Sequence, residues 1–305
     1  MIFKRCTSLA VLLLWASLTQ LPAQERDSLA RTSENPWYLQ RKNITTAVIA
    51  THTLFTTYLE YKWWWEGNYH PFKYENDGFW HNYSLGVDKV GHFYTSYCYT
   101  NALSEILQWS GYSRSTATWW ASGIAFFYAL SIEIGDGFST YAFSLTDLTA
   151  NTLGIGYAYL QQRVPFFQNF KFKWSYYPSG KIPMDEYFRL TDDYDGHIYW
   201  LSVDVYNLLP AKAKHFWIPY LNIAFGYGGE NIYGRPTWVS KDPIYPTEPA
   251  KRKFVVALDY NLSAIPTTHE TWTTVKRLLD LFHYPAPAVS KTQGKPAKFK
   301  PLLLN

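Results

Sequence analysis

Cysteine is almost missing from this chain: only Cys6 and Cys98 occur. Cys6 falls within a predicted amino-terminal export signal, so the mature chain is expected to keep Cys98 alone. One thiol excludes an intramolecular disulfide and leaves stability to packing. Charge is also sparse, at 17% of residues, and loss of Lys4 and Arg5 with the signal lowers the formal net charge from +4 to +2. So small an excess excludes nucleic acid as a partner drawn by charge, and gives no strong overall pull toward anionic lipid. Several motif classes are missing as well. No glycine-rich phosphate loop, Gly-x-Ser-x-Gly elbow, Cys/His zinc spacing or His-Glu-x-x-His helix is present. The stretch Gly226 to Gly229 reads as a turn. The sequence names no particular cofactor or protein partner.

Residues 1–23 carry the three parts of a secretory signal. Lys4 and Arg5 open it, Leu9 to Trp15 form the apolar core, and Leu21-Pro22-Ala23 offers a cut before Gln24. The core is too short to remain as a membrane anchor. Cys6 precedes it, whereas a lipid-anchor cysteine follows, so no lipid anchor is expected. The mature chain is expected in the periplasm or on the periplasmic face of the outer membrane.

What the chain has in excess is aromatic side chains, 19% of residues, with 26 Tyr, 19 Phe and 14 Trp. Tyr and Trp join an apolar body to a polar tip and suit the boundary between water and hydrocarbon. A membrane or lipid surface is therefore the expected partner. The mean hydropathy of −0.24 argues against a conventional polytopic membrane protein.

Four stretches read as helices: Ile44 to Lys62, Asp88 to Trp109, Thr116 to Ile134 and Leu145 to Gln162. After Arg163 the period changes to two, over Phe170 to Tyr176, Tyr199 to Val205, Leu221 to Tyr227 and Phe254 to Leu262, which predicts strands. A short helix is expected at Thr271 to Phe282. The Lys- and Pro-rich tail reads as disordered. The predicted class is α+β: an N-terminal four-helix bundle of strongly apolar helices (36–165), a small antiparallel β-sheet in a β-rich region (166–287), and a disordered tail (288–305).

Candidate chemistry lies between Asp88 and Asn151. Asp88 and His92 are four apart on one helix and share a face, which Ser96 and Tyr99 continue. Glu133 and Asp136 end the third helix, and Asp147 and Asn151 open the fourth. Antiparallel helices bringing these together would make an acid/base site from Asp88, His92, Glu133, Asp136 and Asp147, or an oxygen-and-nitrogen site for a divalent metal. A structural reading covers the same residues. Ser144 to Asp147 has capping-box spacing, Asp88 is placed to cap its own helix, and Lys89 is placed to pair with Glu133. Lys89, Ser144 and Asn151 then belong to a structural polar cluster, and no dedicated metal ligand is assigned.

The segments DKVGHF (Asp88 to Phe93), IEIGDGFS (Ile132 to Ser139) and FSLTDLTANTLG (Phe143 to Gly154) resemble the YfiM-like family of predicted periplasmic lipoproteins of unknown function. DYDGHIYWLS, WIPYLNIAFGYG and KRKFVVALDYNLSAI resemble its longer form, typical of Bacteroidetes. The resemblance covers most of Pro36 to Pro287. Asp88, Lys89, His92, Phe93, Ser144, Asp147, Asn151 and Gly154 are also similar to a pattern in VanZ-like membrane proteins, which implies a shared four-helix unit that meets the membrane. The family supplies no reaction. The leading expectation is a noncatalytic binding or structural role at the periplasmic side of a membrane. The alternative is a metal-dependent hydrolase or transferase acting on an envelope lipid or glycan. A third is a polytopic inner-membrane protein.

Overall fold

The structure is a computed structural model that describes residues 36–181, 190–232 and 248–304; the expected signal segment lies outside them. Helix α1 runs over Pro36–Glu60, α2 over Val87–Trp109, α3 over Arg114–Gly137 and α4 over Leu145–Arg163. Two short strands, β1 (Tyr74–Glu75) and β2 (Phe143–Ser144), pair in parallel just ahead of α4. A meander follows, with β3 at Phe170–Tyr176, β4 at His197–Val203, β5 at Leu221–Glu230 and β6 at Lys251–Tyr260. Helix α5 (Glu270–Leu279), β7 (Ala286–Thr292) and β8 (Lys298–Leu303) complete it.

Helix boundaries follow local chemistry. Ser113 accepts the Thr116 N–H at the start of α3, and Ser144 accepts the Asp147 N–H at the start of α4, so each hydroxyl satisfies an orphan donor of the first turn. Gly86 precedes α2 at φ 86°, where an added Cβ would lie 2.8 Å from the Phe79 carbonyl. Asp88 does not cap this helix as expected. Its own N–H instead donates to Ser84 Oγ.

The expected bundle of strongly apolar helices does not form. The helices bury polar residues and turn large apolar ones outward. Buried on α2 are Lys89, Ser96, Thr100, Asn101, Ser104 and Glu105, whereas Trp119 and Phe127 on α3 and Leu153 on α4 are each more than half exposed. Composition counts apolar residues but cannot say which way they face. No helix among the described residues is long and apolar enough to cross a membrane. Helix α2 is central, packing on α3, α4 and the sheet. A Cβ on Gly154 would sit 2.1 Å from the Phe93 carbonyl oxygen, so glycine there permits the close approach of α4 to α2.

The sheet is larger than expected, with six antiparallel strands in the order β3-β4-β5-β6-β7-β8. The glycine run expected as a turn lies inside β5. A Cβ on Gly226 would meet the Trp200 ring at 2.7 Å, so this glycine makes room for a tryptophan. The tail expected to be disordered supplies the end of β7, a turn at Gly294 and strand β8. Ala286, Ala288 and Ser290 face inward while Pro287, Val289 and Lys291 face out, so a period of two was present beneath the Lys- and Pro-rich composition. The Trp174 N–H donates to Leu281 O and the His283 N–H to Trp174 O. The chain entering β7 thereby closes against β3. Ile198, Trp200, Ala224, Val255, Ala257, Ala288 and Leu303 fill the inside.

Candidate functional site

Helix α2 lies over β3 and β4 through an aromatic seam, with Phe93 edge-on to Phe172 at 4.7 Å and the Tyr94 hydroxyl donating to Leu281 O at 2.7 Å. This contact fixes the first two turns of α2, which carry Asp88, Lys89 and His92, beside the start of α4 and the last turns of α3. The β1–β2 pairing, Tyr74 opposite Phe143 and Glu75 opposite Ser144, brings Asp77 to the same point.

Lys89 is the centre of the site. Its Nζ lies 2.6 Å from Asp147 Oδ1, 2.8 Å from Asp77 Oδ2 and 2.9 Å from Asp88 Oδ2, with 3% of the side chain exposed. The expected partner, Glu133, is not among these ion pairs. Sequence reading paired Lys89 with Glu133 on α3, but the short β-bridge delivers Asp77 instead. Thr146 Oγ1 donates to Asp77 Oδ1 at 2.7 Å and Ser144 Oγ donates to it at 3.3 Å.

His92 lies at the margin with 30% of its side chain exposed. Nε2 is 3.7 Å from Asp88 Oδ1 and 3.6 Å from Asp147 Oδ1, and Nδ1 is 3.9 Å from Glu133 Oε1. Glu133 is held from behind: the Ser144 N–H donates to Oε2 at 3.2 Å and Asn151 Nδ2 to Oε1 at 3.5 Å. Ser96 Oγ in turn donates to Asn151 Oδ1 at 2.8 Å. Thus Asp88, Lys89, His92, Glu133, Ser144, Asp147 and Asn151 converge. Asp136 turns aside and accepts from the Trp65 indole N–H at 2.8 Å. Tyr99 leaves the face altogether and packs on His52 and Tyr128.

Asp77 and Tyr194, whose hydroxyl donates to Asp88 Oδ1 at 3.1 Å, were not singled out in the sequence. Tyr194 lies in the DYDGH segment, far along the chain, and only the close packing of the sheet beneath α2 brings it near. No spacing rule reveals either residue.

Burial opposes charge throughout the site, and neighbours decide which groups keep it. Burial disfavours the His92 imidazolium, but the Asp147, Asp88 and Glu133 charges outweigh it and raise His92 to about 9. Burial pushes Glu133 up to about 8 against the opposing charge of His92. It raises Asp136 to about 7, opposed by the Trp65 hydrogen bond. Glu60, at the end of α1, is raised by burial to about 7 although the Tyr128 hydroxyl donates to it. Asp88 is held below its ordinary value because His92 and Lys89 outweigh burial.

Apart from that of Asp88, these shifts have one sign. Folded Glu133, Asp136 and Glu60 hold protons that the unfolded chain releases at lower pH, and folded His92 keeps its proton to higher pH. Stability therefore falls as pH rises through their folded values. His197 and His283 are pushed the other way by burial, but their contribution is complete above the ordinary histidine value of about 6.5. The melting temperature is expected to fall between about pH 6.5 and pH 8. Glu133→Gln removes one titrating proton and should flatten the slope by up to about 1.4 kcal/mol per pH unit. Thermal melts across that window check this; a flat wild-type profile contradicts it.

One ligand atom each from Asp88, His92 and Asp147 lies within 4.8 Å of the others, a spacing that a divalent ion could bridge. Glu133 beside the far ring nitrogen would orient the imidazole.

Residues 77–163 match a family described as predicted periplasmic lipoprotein (DUF2279), a domain of unknown function. The matched segment runs from Asp77 to the end of α4 and contains every cluster residue except Tyr194. The match agrees with an exported cell-envelope protein in the periplasm or at the periplasmic face of the outer membrane. No curated protein and no solved structure matches the chain.

Proposed function

We propose that the chain is a noncatalytic envelope protein that rests against a lipid surface through the outer face of its helices. The observation carrying this reading is the inverted helical layer. Thr118 and Glu133 on α3 and Asp147, Asn151 and Gln161 on α4 are buried. Trp119 is 67% exposed, Phe127 59%, Leu153 57% and, on α1, Phe55 58%. A layer bathed in water on its outer side favours the opposite arrangement. The buried ion cluster then braces α2, α3 and α4 where the outer face cannot.

Separation of membrane and soluble fractions tests it. Wild-type protein is expected with membranes, and Trp119→Ser with Phe127→Ser is expected to shift it to the soluble fraction. Wild-type protein wholly soluble and indifferent to added lipid would defeat the proposal.

The convergence of Asp88, His92 and Asp147 favours a second reading, a metal-dependent hydrolase or transferase for an envelope lipid or glycan. Three carboxylates against the Lys89 ammonium leave an excess of negative charge that a divalent ion at a neutral His92 would offset. Metal retained through purification and lost in His92→Ala would favour this reading over the first.

A further inference from the structure

Strands β5 to β8 present a second apolar face, on elements separate from the helical layer. On one side of these strands Ala224, Val255, Ala257 and Ala288 are buried inside. On the other, Phe225 is 51% exposed, Phe254 49%, Val256 48%, Val289 46% and Phe299 67%. Phe225 pairs with Val256, Val256 with Val289 and Val289 with Phe299, so one uninterrupted apolar row crosses all four strands.

The chemistry of this face changes in order along the strands. Ile223 opposite Leu258 is followed by the Phe225–Val256–Val289–Phe299 row, then by Tyr227, Phe254 and Lys291, then by Arg252. Trp80 extends the aromatic level: it stacks on Tyr227 at 5.3 Å and lies beneath the Arg252 guanidinium at 4.8 Å. Leu258 to Phe254 covers roughly 14 Å of strand, about one leaflet's share of a ~30 Å hydrocarbon core. Aliphatic side chains, then aromatic rings with polar tips, then cations is the order met in passing from acyl chains to headgroups.

We propose that this sheet face enters one leaflet of a bilayer, with Arg252 and Lys291 placed at anionic phospholipid headgroups. The lipid reading of the helices suggests the class of partner, but the sheet face rests on its own residues. Charge separates lipid from a second copy of the chain. The outward positions of β5 and β6, and Pro287, Val289 and Lys291 of β7, carry no carboxylate. A copy docked on the same face brings no acid to Arg252 or Lys291, whereas anionic headgroups supply one to each.

Flotation of the full chain with vesicles of phosphatidylcholine, with and without phosphatidylglycerol, tests the assignment. Phe225→Ser with Phe299→Ser is expected to lower vesicle binding at least tenfold, and Lys291→Glu to abolish the preference for phosphatidylglycerol. Circular dichroism should match wild type, since all three side chains are exposed. If the sheet variant floats like wild type while Trp119→Ser with Phe127→Ser does not, the sheet inference falls and the helical reading stands. If only the sheet variant loses binding, the helical reading falls instead. Equal binding to both vesicle types overturns the headgroup assignment. Sedimentation showing a wild-type dimer that the sheet variant dissolves assigns the face to a second copy.

Discussion

Exchange of Lys89 for Met is expected to remove about 3–5 kcal/mol of folding stability. The ammonium is the shared partner of Asp77, Asp88 and Asp147, all within 2.9 Å, and 3% of its side chain is exposed. Met matches the stem of Lys in length and is a good helix former, so the loss reports the missing charge. Asp77 would keep Ser144 and Thr146, and Asp88 would keep Tyr194. Hydroxyl donors soften a buried carboxylate's cost without removing it. Since whole domains are stable by only about 5–15 kcal/mol, the variant should unfold at markedly lower urea. Adding Asp147→Asn should return part of the loss, because one uncompensated charge goes with it. A second readout separates this role from mere packing. Lys89 opposes the charged form of His92, so NMR titration should place His92 higher in the variant. An unchanged His92 titration and a loss below about 1 kcal/mol would reduce Lys89 to a surface-like ion pair.

The parts of this site visible in the sequence are those that one helix determines. The Asp88–His92 spacing, the Ser144 cap on Asp147 and the Asp147–Asn151 face follow from helical geometry, and the structure keeps each. Helix α2 begins one residue before the predicted start and ends at the predicted Trp109. The strands β3, β5 and β6 were visible as alternation, although in β5 and β6 the buried face is the one carrying Asn222, Ala224, Val255, Ala257 and Asp259 and the large apolar face turns outward. What local pattern could not show was partner choice. Lys89 had several carboxylates within conceivable reach, and a two-residue bridge between β1 and β2 supplied one from outside the helices. Likewise, the composition of the tail at 288–305 describes solvent-facing lysines, while pairing of Val289 with Phe299 depends on β6 already being in place.

The inner side of the sheet holds a second buried ion cluster, and Lys173→Met is expected to cost as much as the change at Lys89, about 3–5 kcal/mol. Lys173 Nζ lies 2.7 Å from both Asp259 Oδ2 and Asp280 Oδ1, with none of Lys173 or Asp259 and 2% of Asp280 exposed. It also donates to Tyr260 O at 2.8 Å. The two acids should respond differently. Asp280 keeps an ion pair with Lys171 and accepts from Ser263, whereas Asp259 keeps one donor, Ser202 Oγ at 2.6 Å. Asp259→Asn added to Lys173→Met should therefore recover more stability than Asp280→Asn added to it. Acid unfolding gives an independent measure. Burial opposes the Asp280 charge, but Lys171 and Lys173 outweigh it and lower its carboxyl to about 2. Its stabilising effect is present above the ordinary carboxylate value and is lost as pH falls through the folded one. Wild-type protein should lose about 2 kcal/mol on this limb, and Lys173→Met should lose less, having surrendered part of that pairing already. Urea midpoints at neutral and acidic pH for the single and double variants decide the matter. Equal rescue by both asparagines would mean that Lys171 shares the load with Asp259 as well, and that the interior cluster acts as one body rather than as a buried pair with a braced neighbour.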